Sequence, residues 1–428
     1  MTHEQLAIHG GRKTILSQPQ KYNTIGSEEK EAVISVLESG CLSDFLGCWS
    51  PQFYGGPNVQ LFEKACEQFF GVKHAITVNS WTSGLIAAVG AVGIAPGDEI
   101  IVTPWTMCAS ATAILHWNAL PVFADISPND YCIDPESVLK NITPYTKAIM
   151  SVDIFGCSAN MNALRQIADK YDLKIISDSA QAPGATYSNS FAGTLADIGG
   201  ISLNYHKHIH TGEGGVLFTN SDDYADRLRL IRNHGEAVVK DKRPGNISNI
   251  LGFNFRLGEI EAAIGLQQLH KLPSLLSRRQ EIAKALADGL RDLEGLILPV
   301  VPSNSTHAYY VFPMRLDKDQ VKVSRDDIIK ALHAEGLTEL AGGYENLHLL
   351  PIFQEKIAYG NHGFPWNNSI CKRDINYSKG ICPNAEDLHD NTFLAIPLCL
   401  YDYSDHDVQC IISAFRKVWT QLDTILIL

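Results

Sequence analysis

The sequence predicts an α/β protein of 428 residues, with a large first domain over 1–275 and a smaller C-terminal α+β domain over 276–428. Three observations predict it. From His74 onward, short apolar runs of strand length alternate with segments of helical spacing, which is the pattern of βα units. The run Leu173-Lys174-Ile175-Ile176-Ser177-Asp178 is nearly continuous in apolar residues and ends in an acid. A strand buried on both faces does this when it delivers a side chain to the carboxyl edge of a parallel sheet, where ligands bind. Beyond residues 275–295 the texture changes, and strand-like runs stand beside two isolated helices.

The elements follow in order. Residues 1–50 read as an arm leading into a helix that Ser27 caps, Glu28 and Glu29 favour at its first turn, and Gly40 closes. Tyr54-Gly55-Gly56-Pro57-Asn58 is a turn. Val59, Phe62, Cys66 and Phe69 then recur at helical spacing to Phe70. His74–Val78 is a strand, Asn79–Gly84 a small polar turn, and Leu85–Val92 a helix. A strand that hands small residues to a helix start presents free amides and a helix dipole to an anion, although Ser80 or Thr82 could equally be an ordinary cap. Strands follow at Glu99–Val102, Leu120–Phe123 and Ala148–Val152, with helices at Met107–Trp117, Asp134–Leu139 and Asn162–Tyr171. Asp178 closes the next strand, and by itself it could also be a capping acid.

Ile198–Leu203 and Val216–Thr219 read as two further buried strands. Between them lies Asn204-Tyr205-His206-Lys207-His208-Ile209-His210-Thr211-Gly212-Glu213-Gly214-Gly215. A bend this rich in Gly and His builds a poor core and a good site. At its centre is Lys207. A lysine in a partly desolvated pocket loses basicity, so its amine can attack a carbonyl near neutral pH. The bland alternative is a solvated lysine on a surface turn. His206, His208 and His210 alternate and could share a strand face as metal ligands, but no Cys or carboxylate stands at a spacing that completes a site, so no metal is expected. Further on, Asp222–Asn233 is a helix and Leu251–Arg256 a loop. Two long helices, Leu257–Lys271 and Pro273–Leu293, are expected to separate at Pro273. The smaller domain has strands at Leu296–Val301 and Tyr309–Leu316 and helices at Arg325–Glu335 and Asp405–Thr420. Residues 340–390 are irregular, and a loop this long is more often functional than idle.

Composition narrows the function. Apolar residues make up 45% and charged residues 19%, which suits a globular enzyme-sized protein. The formal charge of −12 argues against nucleic acid as a partner, because phosphate binding wants a basic face. The ten cysteines form no CxxC pair and read as buried thiols of a reducing compartment. Met1–Arg12 has no apolar stretch of signal type, and no apolar run is long enough to span a membrane. A cytoplasmic location is expected.

Four ordered runs carry a resemblance: Ile176-Ser177-Asp178-Ser179-Ala180-Gln181, Lys207 to Gly215, Arg232-Asn233-His234-Gly235, and Gly252-Phe253-Asn254-Phe255-Arg256 leading to Glu259. With them, residues 25–425 resemble the DegT/StrS sugar aminotransferases, pyridoxal-phosphate enzymes of the aspartate-aminotransferase fold type. The resemblance implies a large cofactor-binding domain with a mixed, mostly parallel sheet flanked by helices. It implies that Lys207 carries the Schiff base with pyridoxal 5'-phosphate and shuttles the proton. Asp178 would pair with the pyridinium nitrogen, and Gln181 would lie near the ring hydroxyl. The Thr82 hydroxyl and the amides around Trp81 would hold the phosphate, with Ser202 beside them. Asn254 would reach the cofactor of a neighbouring subunit, so a homodimer is implied. Where such enzymes carry an aromatic ring over the cofactor, this chain has Met107, with Trp105 two residues earlier; which of them covers the ring stays open.

The activity implied is transfer of an amino group, from L-glutamate or another amino acid, to the keto or aldehyde carbon of a sugar-like acceptor in amino-sugar biosynthesis, for instance toward lipopolysaccharide. The acceptor is either a nucleotide-linked ketosugar or a non-nucleotide compound. The run Cys382-Pro383-Asn384-Ala385-Glu386 resembles a segment of enzymes acting on cyclitol ketones and octulosonate-type acids. A sugar dehydratase and a non-catalytic regulator are the rival readings.

Overall fold

The computed structural model describes residues 4–425 apart from 341 and 368. Its centre is a seven-stranded sheet. The strands are β1 (His74–Val78), β2 (Glu99–Val102), β3 (Leu120–Phe123), β4 (Thr146–Val152), β5 (Lys174–Asp178), β6 (Ile198–Ser202) and β7 (Gly215–Thr219), in spatial order β1-β7-β6-β5-β4-β2-β3. Only β7 runs against its neighbours, so the sheet is mixed and mostly parallel. Nearly every residue of these strands is buried, which is why they read as unbroken apolar runs rather than as alternation.

Helices cover both faces. One face packs on α3 (Trp81–Ala91), α4 (Ala109–Leu115), α6 (Met161–Tyr171) and α7 (Asp222–Arg232). The other packs on α2 (Pro57–Phe70) and the first half of α8 (Glu259–Leu290), with α1 (Ser27–Ser39) outside it. The cap of α1 is Gly26, one residue before the expected Ser27, and its amide donates to Glu29 at 2.7 Å; the cap expected at Ser80 is in place. The amide of Ser83 donates to Ser80 Oγ at 3.1 Å, and those of Glu136 and Ser137 donate to Asp134 at the start of α5 (Pro135–Asn141). Because Ser80 caps α3, that helix begins at Trp81 and not at the expected Leu85. The helix expected over Met107–Trp117 shrinks to α4.

One expectation fails outright. Pro273 does not separate a pair of helices; it lies inside α8, which is continuous for 32 residues. The ring costs one intrahelical hydrogen bond. Both halves are nevertheless held by packing: Leu269, Leu272 and Leu276 against the sheet layer, and Ile282, Leu286 and Leu290 against a second apolar cluster. Burial of six such side chains outweighs one missing bond. Glu259, at the head of α8, accepts from the amides of Asn58 and Val59 at 2.7 and 3.2 Å, so it caps α2 from a distance and ties the two helix starts together.

The second cluster holds the antiparallel strands β8 (Leu296–Ile297), β9 (Val311–Leu316) and β10 (Phe393–Pro397), with α9 (Arg325–Ala334) and α10 (Asp405–Trp419). Leu6 and Ile15 of the N-terminal arm are included in it. The strand expected to reach Val301 stops at Ile297, and β10 carries no alternation that would mark it in advance. The irregular stretch after Leu340 is a strap along β3, the edge strand of the large sheet. Tyr377 Oη donates to Pro121 O at 2.7 Å, and the Asn384 and Ala385 amides donate to Asp125 at 2.9 and 3.0 Å. Arg373 pairs with buried Glu99. The strap covers the exposed edge that an open sheet otherwise leaves.

Candidate active site

The carboxyl ends of β1, β4, β5 and β6 open on one edge of the sheet, and a cavity of about 230 Å³ lies there. Asp178 ends β5 and faces Gly200 of β6; Ser202 ends β6. From Ser202 the chain bends through Lys207 and returns as β7. The bend is closed by its own backbone: Leu203 N donates to Gly214 O, Thr211 N to Leu203 O, and Lys207 N to Asn204 O. Gly214 has φ +154°, and a Cβ there would meet Thr211 Oγ1 at 2.7 Å, so this corner needs glycine.

Of the residues singled out in the sequence, the structure brings Trp81, Thr82, Met107, Asp178, Gln181, Ser202 and Lys207 to the wall of this one cavity. Asn254 is not among them. It is exposed, with its carbonyl near Asn79 Nδ2 at 3.5 Å. Met107 lies at the cavity and is 54% exposed. Trp105 does not reach it; its ring is fully buried among Tyr131, Phe155 and Phe393, and its indole donates to Tyr344 O. The three histidines of the bend do not converge. His208 is buried against Ala308 O, His206 lines the cavity, and His210 lies beside Gly212 N. Among the described residues no three His, Cys, Asp or Glu side chains come together as a metal site.

Asp178 accepts three hydrogen bonds. Trp81 Nε1 and the Ala180 amide donate to Oδ1 at 2.6 and 3.2 Å, and Ser110 Oγ donates to Oδ2 at 2.7 Å. Gln181 accepts from the Phe155 amide at 2.8 Å and donates to Tyr344 Oη at 2.7 Å. At the other end, Gly84 N makes the first intrahelical bond of α3 to Ser80 O, so the amides of Trp81 and Thr82 precede it and stand free for an anion.

The DegT/DnrJ/EryC1/StrS aminotransferase family matches residues 24–393. The chain belongs to this family. It is 33% identical over 406 residues to the spore coat polysaccharide biosynthesis protein SpsC of Bacillus subtilis strain 168, covering 94% of this chain and 96% of SpsC. It is 37% identical over 291 residues to the GDP-perosamine synthase of Caulobacter vibrioides, covering 68% and 77% of the two chains. Among solved structures it is similar to Helicobacter pylori PseC, an aminotransferase involved in the biosynthesis of pseudoaminic acid, with a TM-score of 0.77, 28% identity, and 94% and 100% of the chains covered.

Membership in the DegT/DnrJ/EryC1/StrS family makes the chain a transaminase of the sugar aminotransferase type with pyridoxal phosphate as cofactor. The donor set fits that group: hydroxyls and free amides at the start of α3 for a phosphate, a carboxylate at the end of β5 for a cationic ring nitrogen, and the Lys207 amine on the same wall. Lys207 is 7% exposed, and its Nζ lies 4.4 Å from the centre of the Tyr310 ring. Burial pushes the amine down from 10.5 to about 8, against the opposing pull of Asp178 and Cys399. Roughly a tenth of it is therefore free base at pH 7, against well under a thousandth for an ordinary lysine. Burial and the neighbouring Lys207 charge also push His206 down to about 4, so its imidazole is neutral there.

A pH dependence follows. The nucleophile is the deprotonated amine, so the rate of cofactor attachment to the apoprotein rises about tenfold per pH unit below pH 8 and levels off above it. Stopped-flow absorbance across pH 6–10 measures it, and a rate still climbing at pH 10 shows an ordinary lysine.

Ser110, Tyr310 and Tyr344 are the residues that sequence reasoning missed. Ser110 sits in a helix whose spacing says nothing of Asp178. Tyr310 is in a segment read as a plain strand. Tyr344 opens the irregular stretch, whose length flagged a function without naming a side chain.

Proposed function

We propose that this transaminase moves an amino group from L-glutamate to the keto or aldehyde carbon of a sugar-like acceptor, with Lys207 as the catalytic residue. The observation that carries this reading is the convergence of Lys207, Asp178 and the start of α3 on one cavity. Bound pyridoxal phosphate supplies an electron sink that acidifies the donor's Cα–H. Lys207 Nζ would take that proton in the donor half-reaction and, once the acceptor has replaced the donor, would deliver a proton to the acceptor-derived carbon in the second. Asp178 would hold the proton of the ring nitrogen. The amides of Trp81 and Thr82, with the hydroxyls of Thr82 and Ser202, would hold the phosphate. Gln181, anchored by the Phe155 amide, would orient the ring hydroxyl, and Met107, on the cavity wall and half-exposed, would border the ring. Asn254 serves the site of a second copy. Its exposure, and the exposed Ile34, Leu37, Leu42, Leu46, Leu61 and Leu251 on neighbouring elements, support a homodimer.

In this reading the chain works in the cytoplasm on amino sugars for a surface polysaccharide such as lipopolysaccharide; its ten free thiols suit a reducing compartment. Among the described residues no helix is long and apolar enough to cross a membrane. A large domain over 1–275 and a small one over 276–428 divide inside α8, where the second apolar cluster begins; Leu6 and Ile15 of the arm cross over to that cluster, and strap residues from Leu347 to Leu388 pack with the large sheet.

The first acceptor we propose is a nucleotide-linked ketosugar. A non-nucleotide acceptor, an octulosonate-type acid or a cyclitol ketone, is the second reading. The cavity wall favours it, since Lys207 and the neutral His206 are its only basic side chains among the described residues and none is spare for a diphosphate. Glutamate-dependent conversion of a panel of both acceptor classes separates them. After addition of pyridoxal phosphate and removal of the unbound excess by desalting, the purified protein is expected to retain absorbance beyond the protein band. Failure to do so ends the transaminase reading, and turnover independent of an amino donor supports a dehydratase instead.

A further inference from the structure

Trp81 serves two ends of the cavity at once. Its backbone amide is at the free start of α3, while its indole crosses beneath the cavity to the acid on β5. The crossing needs a slot, and glycines supply it. A Cβ on Gly84 would come within 2.9 Å of the indole, and one on Gly200 within 2.6 Å. A Cβ on Gly215 would come within 3.0 Å of the Trp81 backbone. Gly200 faces Asp178 across the β5–β6 pair, so the slot leads to the carboxylate. The indole is 6% exposed, and its one donor is spent on Asp178 Oδ1 at 2.6 Å.

A buried carboxylate keeps its charge only if donors replace water. Trp81 Nε1, the Ala180 amide and Ser110 Oγ take three of its roughly four acceptor positions. Both oxygens are fixed, and the remaining position belongs to the cavity that Asp178 lines.

We propose that Trp81, through its indole N–H, is a positioning residue that fixes the Asp178 carboxylate and aims it at the ring nitrogen of the cofactor, with Ser110 as the second arm of the same clamp. This rests on the reading of Asp178 given above. Because the phosphate end uses only the Trp81 backbone, loss of the indole N–H disturbs the ring end and spares the phosphate end.

The test is Trp81→Phe, which keeps a ring in the slot and deletes the donor, alongside Ser110→Ala. With wild-type cofactor affinity retained within about threefold, each variant is expected to lose about tenfold in kcat at unchanged donor KM, the size of one hydrogen bond to a charged group. The pH titration of the cofactor's visible band is expected to move upward, because a ring that is less often cationic repels the proton on the attached nitrogen less. A packing role alone would not move that titration. Wild-type titration and kcat in both variants overturn the clamp. So does a Trp81→Phe protein that loses cofactor affinity beside a silent Ser110→Ala. If Trp81→Phe does not fold, Ser110→Ala decides by the same two readouts. A wild-type protein that takes up no cofactor defeats the function itself, whereas silent variants of an active enzyme defeat only this inference.

Discussion

Lys207→Ala is expected to lose at least about 10⁴-fold in kcat/KM, roughly 5.5 kcal/mol of transition-state stabilisation, while keeping its fold. The amine has two jobs in the proposed reaction, covalent attachment and proton transfer, and no other side chain of the cavity wall can take both. His206 is held neutral but carries no primary amine, and the Tyr344 hydroxyl is engaged by Gln181 and pushed up to about 12. Stability moves the other way. The folded lysine has its pKa lowered to about 8, so the buried cation disfavours folding fully below pH 8, and the penalty fades as pH rises toward 10.5. At pH 7 the Ala variant apoprotein is therefore expected to melt no lower than wild type, since the relief offsets the lost packing of the stem. Steady-state kinetics and calorimetry check the pair of results; turnover within tenfold of wild type removes Lys207 from the chemistry.

Asp178→Asn is expected to cost on the order of 10³-fold in kcat, about 4 kcal/mol, with cofactor still bound. The change removes the negative charge that makes a cationic ring nitrogen favourable. The hydrogen bonds themselves survive the change. Trp81 and the Ala180 amide share one oxygen of Asp178, so an asparagine keeps its oxygen there and turns its NH2 toward Ser110 Oγ, which rotates to accept it. The apoprotein is therefore expected to lose little stability, within about 1 kcal/mol. Urea unfolding of the apoprotein checks that, and transient kinetics of the donor half-reaction isolate the catalytic loss. A variant with a near-normal half-reaction rate would show that the acid is structural.

Much of the site is written in local sequence. Asp178 is legible because a buried strand reads as an apolar run and its last residue must face the sheet edge. The start of α3 is legible because Ser80 is a capping residue between a strand and a helix. Lys207 is legible because glycines and polar residues between two buried strands leave little else for the bend to do. The errors have physical causes too. Pro273 stays helical because burial on both sides of it exceeds the bond it forfeits, and no local rule counts contacts from residues far along the chain. The strand β10 was hidden because its neighbours in the sheet, not its own spacing, make it a strand.

What the sequence alone determined was the order of the elements and the chemistry that its motifs can hold: an amine, an acid and an anion-binding turn, together with the family to which they belong. Only the tertiary structure decided that these three meet in one cavity, that Trp105 is core while Met107 lies at the opening, that the Trp81 indole reaches Asp178, and that Ser110 and Tyr344 join the site. The reason is that backbone periodicity is a local property. A hydrogen bond such as that of Trp81 to Asp178 joins positions 97 residues apart, and it exists only after Gly84 on α3 and Gly200 on β6 have made room for the ring.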